Sequence, residues 1–299
     1  MEKVETVVFS VIFPGNLKYF STFLKSLENQ TNSNFKLLLV NDGVENITNY
    51  LQKTSLHYEI HSVQHKTPFE IRIVGLKIIS KLAPSYIIFA DTDDTFSPNR
   101  VEVLVQYLKT YTFVCNDIDL MNDQGNIFKK SFWSSRLQDN FEFDIHFIKN
   151  KNIIGLGNAG MQNKALKKIL KKIAQIKEGN DWLFFSAAEE NLHCIFLKQC
   201  STQYRQHDGN LIGKKKINFD AFIYLIEGKI KHYTFLQKIG FKSYNLSDEI
   251  NLNKKLLQLT LKEPEKIRHI IKQINSLETN FFWWEESNYI HQLNENNSI

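Results

Sequence analysis

The sequence predicts an α/β protein: an open, mostly parallel sheet flanked by helices, followed by a helical C-terminal appendage. Three observations lead there. Short apolar runs alternate with amphipathic stretches over the first 200 residues, the pattern of βαβ units. Carboxylates fall at the ends of those runs, on the sheet edge where ligands of open α/β folds bind. From Asn218 onward the sequence reads as helices with no further strand.

The first βαβ unit is read from Val7–Phe13, a near-continuous apolar strand broken by Pro14-Gly15-Asn16. Leu17, Phe20, Phe23, Leu24 and Leu27 then recur at helical spacing. Phe35–Val40 is a second strand ending in Asn41-Asp42-Gly43, which puts Asp42 at the sheet edge, where an Asx turn would explain it equally well. Ile47–Lys53 predicts a helix, Tyr58–Val63 a third strand, and Glu70–Lys81 a helix whose apolar face excludes Arg72.

The fourth strand, Ser85–Ala90, is the most informative. It runs directly into Asp91-Thr92-Asp93-Asp94, three carboxylates within four positions. Clustered negative charge is unfavourable unless a cation or hydrogen-bond donors offset it, so the stretch predicts a divalent-metal and phosphate site. A capping turn before the next helix would need only one of the three.

Asn99–Lys109 predicts a helix, Thr112–Asn116 a strand, and Asn122–Asn126 a turn into Ile127-Phe128. Residues 131–155 read as an aromatic, loop-rich segment, and Gly155–Gly160 as flexible backbone that is no dinucleotide-binding fingerprint. Asn163–Ile176 is an amphipathic helix with Lys164, Lys167, Lys168, Lys171 and Lys172 on its polar side, either a solvated face or a contact for an anionic membrane. A further helix is expected from Asp181 to Leu192, a short strand at Cys194–Leu197 and a polar loop at Tyr204–Asn210. The appendage comprises helices at 219–231, 252–261 and 265–276, with Lys214-Lys215-Lys216 near its boundary. Phe281-Phe282-Trp283-Trp284 packs the appendage or anchors it to a membrane or partner.

Composition narrows the class. The 299 residues are 42% hydrophobic and 23% charged, as in ordinary globular chains, with a net charge of +5 that suits anionic substrates or surfaces. No apolar run reaches membrane-spanning length, and the N-terminus is not expected to be a signal peptide. Three cysteines without metal or disulfide spacing suggest a reducing cytosol. Oxygen ligands without His/Cys spacing favour Mg²⁺ or Mn²⁺ over zinc, with substrate phosphates completing the shell. No Walker loop or kinase signature is present, and nothing points to nucleic acid.

In order and spacing, Ser26–Thr31, Val40-Asn41-Asp42-Gly43, Phe89–Asp94 with Pro98, Asn158–Met161, Asn180-Asp181-Trp182 and Tyr204–Asn210 resemble the motifs of family 2 glycosyltransferases of the GT-A fold. The resemblance spans roughly residues 5–213, within an expected catalytic domain of residues 1–215 followed by the appendage at 216–299. It implies an inverting, metal-dependent transferase acting on a nucleoside-diphosphate sugar, UDP- or dTDP-linked. The Tyr204–Asn210 segment is most similar to rhamnosyltransferase-type members. The implied acceptor is a bacterial surface glycan or lipid-linked glycan, at the inner face of the cytoplasmic membrane. Asp42 would bind the base, and Arg72 the base or diphosphate; Pro14, Asp91 and Thr92 complete the donor site. Asp93, Asp94 and His207 would serve the metal, and Asp181 would be the catalytic base. Asn180 stands where the family usually has an acid, and Val74 where an asparagine is common. Two alternatives compete: a catalytically degenerate nucleotide-sugar-binding scaffold, and a haloacid-dehalogenase-type phosphatase in which Asp91 is the nucleophile.

Overall fold

The computed structural model describes residues 4–63, 67–207 and 216–276. Its first half follows the predicted alternation. It contains β1 (Thr6–Ile12), a 3-10 turn (Pro14–Asn16), α1 (Leu17–Glu28), β2 (Lys36–Asp42), a short α2 (Thr48–Leu51), β3 (Tyr58–Val63), α3 (Pro68–Leu82) and β4 (Tyr86–Phe89). Thr67 begins α3 with a reciprocal capping box to Glu70, and Pro68 occupies the first turn, where its missing N–H costs nothing. These four strands are all parallel, in the order β3-β2-β1-β4.

The second half is mixed. It comprises β5 (Thr95–Phe96), α4 (Arg100–Leu108), β6 (Phe113–Met121), β7 (Ile127–Lys129), β8 (Phe141–Phe143), β9 (Ala159–Gln162), α5 (Asn163–Ile173), α6 (Asp181–Ser186), a 3-10 turn (Glu189–Asn191) and β10 (Cys194–Arg205). The sheet continues from β4 through β9, β6 and β10 to β5, with β7 and β8 paired to β6 and β10. β9 runs antiparallel to both β4 and β6, so it joins the two halves.

Several expectations change here. The supposedly flexible glycine-rich stretch ends in β9, all four of whose residues are buried. The short strand expected at Cys194–Leu197 extends to Arg205 through an irregularity between Leu197 and Ser201, absorbing Tyr204 and Arg205 from the expected loop. The helix expected to reach Leu192 stops at Ser186, and Glu189 adopts a positive φ of 53° that a continuous helix cannot accommodate. The aromatic segment from 131 is not a loose loop: Phe132 and Trp133 are buried and Phe141–Phe143 forms β8.

Alternate residues of each strand feed two cores. Val7, Phe9 and Val11 pack with Leu38, Ile87 and the apolar faces of α3, α5 and α6. Val8 and Ile12 pack with Leu37, Ile88, α1 and α4 on the opposite face. Gly75 brings α3 against β1, since a Cβ there would lie 2.3 Å from the Phe9 ring.

The appendage is helical, as expected: α7 (Phe219–Lys238), α8 (Leu246–Lys262) and α9 (Pro264–Ser276). The first half of α7 shares a small core with α8 and α9 through Phe222 and Ile226. Its second half, through Tyr233 and Leu236, joins the main core. The 281–284 aromatic cluster, Lys214, Lys215 and Asp208–Asn210 lie outside the described residues.

Candidate active site

A cleft of about 1260 Å³ opens along the C-terminal edge of the sheet, lined by Arg72, the Asp91–Asp94 turn, Asp181 and His207 among others. Arg72, on the second turn of α3, reaches across it. Its Nη1 donates to Asp181 Oδ1 at 2.9 Å and its Nη2 to Asp91 Oδ1 at 3.3 Å. One guanidinium thus joins the carboxylate that ends β4 to the carboxylate that starts α6. The other oxygen of Asp181 accepts from the Leu156 backbone N–H at 2.9 Å, which fixes the carboxylate at both ends. Each oxygen keeps a second lone pair. Asn180 caps α6, accepting from Leu183 N–H at 2.9 Å, and so takes up the place where an acid was expected.

The three clustered aspartates have different surroundings. Asp93 Oδ2 lies 3.1 Å from His207 Nε2, and the imidazole is held from the other side by the ring of Tyr19, 5.2 Å away. Asp94 is 1% exposed and accepts the Arg205 backbone N–H at 2.9 Å; burial pushes its carboxyl well above the usual range, reinforced by Asp93 and Asp91. About a third of the Asp91 side chain is exposed, yet it sits deep in the cleft. Desolvation raises its pKa to about 6, with Arg72 opposing the shift and Asp93 and Asp181 adding to it. Thr92 is fully buried: its hydroxyl donates to Val11 O at 3.0 Å and accepts from Asn16 Nδ2 at 3.2 Å, tying the acidic turn to the end of β1.

Asp42 and Pro14 lie apart from this group. Asp42 ends β2, two strands from β4, a separation of about 10 Å at the usual strand spacing. Pro14 opens the exposed turn after β1, and neither residue lines the described cleft.

Two arginines and a buried aspartate brace the site in roles the sequence does not assign, although Arg205 falls within the Tyr204–Asn210 motif. Arg100 is 1% exposed; its Nη2 donates to Phe89 O at 2.9 Å and Gly157 O at 3.1 Å, its Nε donates to Asn116 Oδ1 at 2.8 Å, and it lies over the Phe96 ring. Burial lowers its pKa to about 10, which leaves it charged at neutral pH. Arg205 Nε donates to Asp93 O at 2.7 Å, and its Nη1 donates to the backbone oxygens of Asn122 and Asp123. Asp117, on β6, accepts the Trp133 backbone N–H at 2.8 Å and the Ser134 hydroxyl at 2.6 Å, which pins the aromatic segment to the sheet. Apart from the Tyr204–Asn210 motif, a sequence signal existed for Arg100 alone, a cation in the first turn of an otherwise apolar helix face.

Among the described residues, no three His, Cys, Asp or Glu side chains converge as a preformed metal site. The Asp93–His207 pair nonetheless fits a hard cation that takes most of its shell from substrate oxygens and water.

The fold is similar to that of Staphylococcus aureus TarS in complex with UDP-GlcNAc, with a TM-score of 0.56 at 14% identity over 85% of this chain and 71% of that one. It is also similar to GalNAc-T7 with UDP, GalNAc and Mn²⁺, with a TM-score of 0.53 at 12% identity over 92% of this chain and 59% of that one. A curated Rickettsia bellii protein described as an uncharacterized glycosyltransferase is 28% identical over 110 residues, 35% of this chain; the match spans only 16% of that protein's length. Residues 12–170, more than half of the chain and including Asp42, Arg72 and the Asp91–Asp94 turn, match the family model for Glycosyl transferase family 2, and the chain belongs to that family.

Proposed function

We propose that the chain is an inverting, metal-dependent glycosyltransferase that moves a sugar from a nucleoside diphosphate to an acceptor hydroxyl. The observation that carries this reading is the cleft itself, where Arg72 joins Asp91 to Asp181 beside the Asp93–His207 pair. TarS and GalNAc-T7, similar in fold, are described with UDP-GlcNAc and with UDP and Mn²⁺. In this reading Asp42 receives the base at the β2 end, and the diphosphate reaches across to the β4 turn. Asp93 and His207 hold Mn²⁺ or Mg²⁺, while Asp94, buried against Arg205, supports the turn. The cation, when bound, offsets charge on the departing diphosphate.

Asp181 takes the proton from the acceptor hydroxyl as that oxygen forms its bond to the anomeric carbon. The bond from that carbon to the diphosphate oxygen breaks, and its electron pair leaves with the nucleoside diphosphate. One base and one displacement give inversion. Arg72 holds Asp181 and Asp91 in register and, as a fixed cation, opposes the rise in the Asp91 pKa. The acceptor is a bacterial surface glycan or a lipid-linked glycan, and the donor is UDP- or dTDP-linked. The exposed lysines of α5 favour peripheral contact with an anionic cytoplasmic membrane face, and no described helix is long and apolar enough to cross a membrane. Family membership argues against the phosphatase alternative for Asp91.

Thermal shift with UDP, dTDP and GDP, each with Mn²⁺, tests the reading. Stabilisation by UDP or dTDP is expected, and no stabilisation by any of the three sinks it. Asp181→Ala is expected to keep that stabilisation and to lose Mn²⁺-dependent sugar-nucleotide hydrolysis by about 10²–10⁴-fold. A scaffold would show the binding without the hydrolysis.

A further inference from the structure

The cleft is larger than one ligand needs: about 1260 Å³, against the ~300–1,000 Å³ of ordinary small-molecule pockets. Its inner wall is the acidic edge of the sheet. Its outer wall is a face of α7, made by Asp220, Ala221, Tyr224, Leu225, Gly228 and Lys229. Those positions recur at the spacing of a single helical stripe. They alternate with Phe222, Ile226, Tyr233 and Leu236, which fix α7 to the two cores. Ala221 and Leu225 also pack on the appendage core and Lys229 is buried, so the part of this face left open to the cleft is Asp220, Tyr224 and Gly228.

That face has a definite chemistry. Tyr224 is 64% exposed while lining the cleft. A lone exposed aromatic is ordinary on a protein surface, but this one stands at the mouth of a catalytic cavity. One turn further along, Gly228 leaves the groove open, since a Cβ there would meet nothing within 4 Å. Asp220 and Glu178 supply carboxylates, and Asn152 supplies an amide whose Oδ1 has no hydrogen-bond partner among the described residues. A flat ring beside uncharged and anionic hydrogen-bond acceptors suits a ligand with C–H faces and many hydroxyl donors, which describes a saccharide.

The face is also coupled to the base. Trp182, the residue after Asp181, stacks on His232 of α7 with ring centroids 3.8 Å apart and planes 11° from parallel. Its Nε1 donates to Ile148 O at 2.7 Å, so the indole is fixed from both sides. Tyr224 lies eight residues before His232, about 12 Å along the helix, which is longer than one pyranose ring.

We propose that the α7 face is the acceptor subsite, and that the acceptor is an oligosaccharide whose terminal sugar sits at Asp181 while an earlier sugar stacks on Tyr224. This rests on the transferase reading above. The test applies the full chain, Tyr224→Ala and Tyr224→Trp to a glycan microarray carrying monosaccharides through hexasaccharides. Retention on oligosaccharides above monosaccharides is expected, weakened up to about tenfold in Tyr224→Ala and preserved in Tyr224→Trp. Equal retention by Tyr224→Ala, or no oligosaccharide retained above the monosaccharides, overturns the subsite. Nucleotide-induced thermal shifts of the variants show that they are folded with an intact donor site. If nucleotides do not stabilise the wild type, the transferase reading fails; if they do and the array is blank, only the subsite fails.

Discussion

The two halves of the sheet are built by different means and contribute different parts of the site. In the parallel half, β1, β2 and β3 are each followed by a helix before the next parallel strand, so the strand ends, with their carboxylates, collect at one edge. That half supplies Arg72 and the Asp91–Asp94 turn. In the mixed half, β6 and β10 pair across some 80 residues, and β9 is inserted between β4 and β6. That half supplies Asp181, Arg205 and His207. The cleft lies on the seam, and Arg72 and Arg100 cross it. Arg72 bonds carboxylates from both sides, while Arg100 ties Phe89 O on β4 to Asn116 on β6. A framework assembled by local connections is thus made functional by long-range ones.

Cutting the seam gives the largest expected effect on stability. Arg100→Leu removes the guanidinium donor to Phe89 O and Asn116 Oδ1 and one of two side-chain donors to Gly157 O, and takes a cation from beside Asp94 and Asp91. A loss of about 3–5 kcal/mol is expected in urea unfolding. A loss below about 1 kcal/mol would mean that the halves do not depend on this tie.

The link between the mixed half and the appendage is read by pH. His232 is buried against Trp182, and desolvation, with Lys229 adding, lowers its pKa to about 3 from an ordinary 6.5. The unfolded chain therefore binds a proton that the folded chain refuses between those values. The stabilisation is complete above pH 6.5 and is lost as pH falls towards 3, by at most ~4–5 kcal/mol. His232→Phe keeps a ring on Trp182 and has nothing to protonate. Its urea midpoint should fall less than that of the wild type between pH 7 and pH 4.5, and parallel curves would contradict the assignment.

The smallest effect probes the parallel half alone. Gly75→Ala places a methyl within van der Waals overlap of Phe9 and Val40, and overpacking there should cost about 1–3 kcal/mol by thermal or urea unfolding. Nucleotide-induced stabilisation should survive, since Gly75 packs on Phe9 and Val40 and does not line the cleft. Its loss would show that the α3–β1 packing also sets Arg72.

The same contrast explains what could be read from the sequence. β1 to β4 and their helices announce themselves by apolar runs and periodicity, because each element's neighbour is close in the chain. Gly155–Gly160 reads as flexible because its glycines hide the start of β9, a strand whose partners are remote. β10 was read as four residues because Lys198 and Gln199 interrupt its apolar pattern where its register with β6 shifts. For the same reason Arg205 was placed in a loop, although its backbone bonds Asp94 from within a strand. The acidic residues were legible because charge at a strand end is a local signal. Arg100 and Arg205 are not legible in this way: Arg100 stands on a helix, where a cation usually reads as solvated, and Arg205 ends a strand whose apolar pattern is interrupted.

Gly157 carries a consequence for recognising working relatives of this chain. A Cβ there would lie 2.8 Å from Asp91 Oδ2 and 3.2 Å from Asp94 Oδ2, and the Gly157 carbonyl also receives Arg100 and the Thr202 hydroxyl. A side chain there would push the Asp91 carboxylate from its place and crowd that of Asp94. In a collection of similar sequences, a side chain at this point would mark a copy whose aspartates remain in the sequence but whose carboxylates stand elsewhere in the cleft.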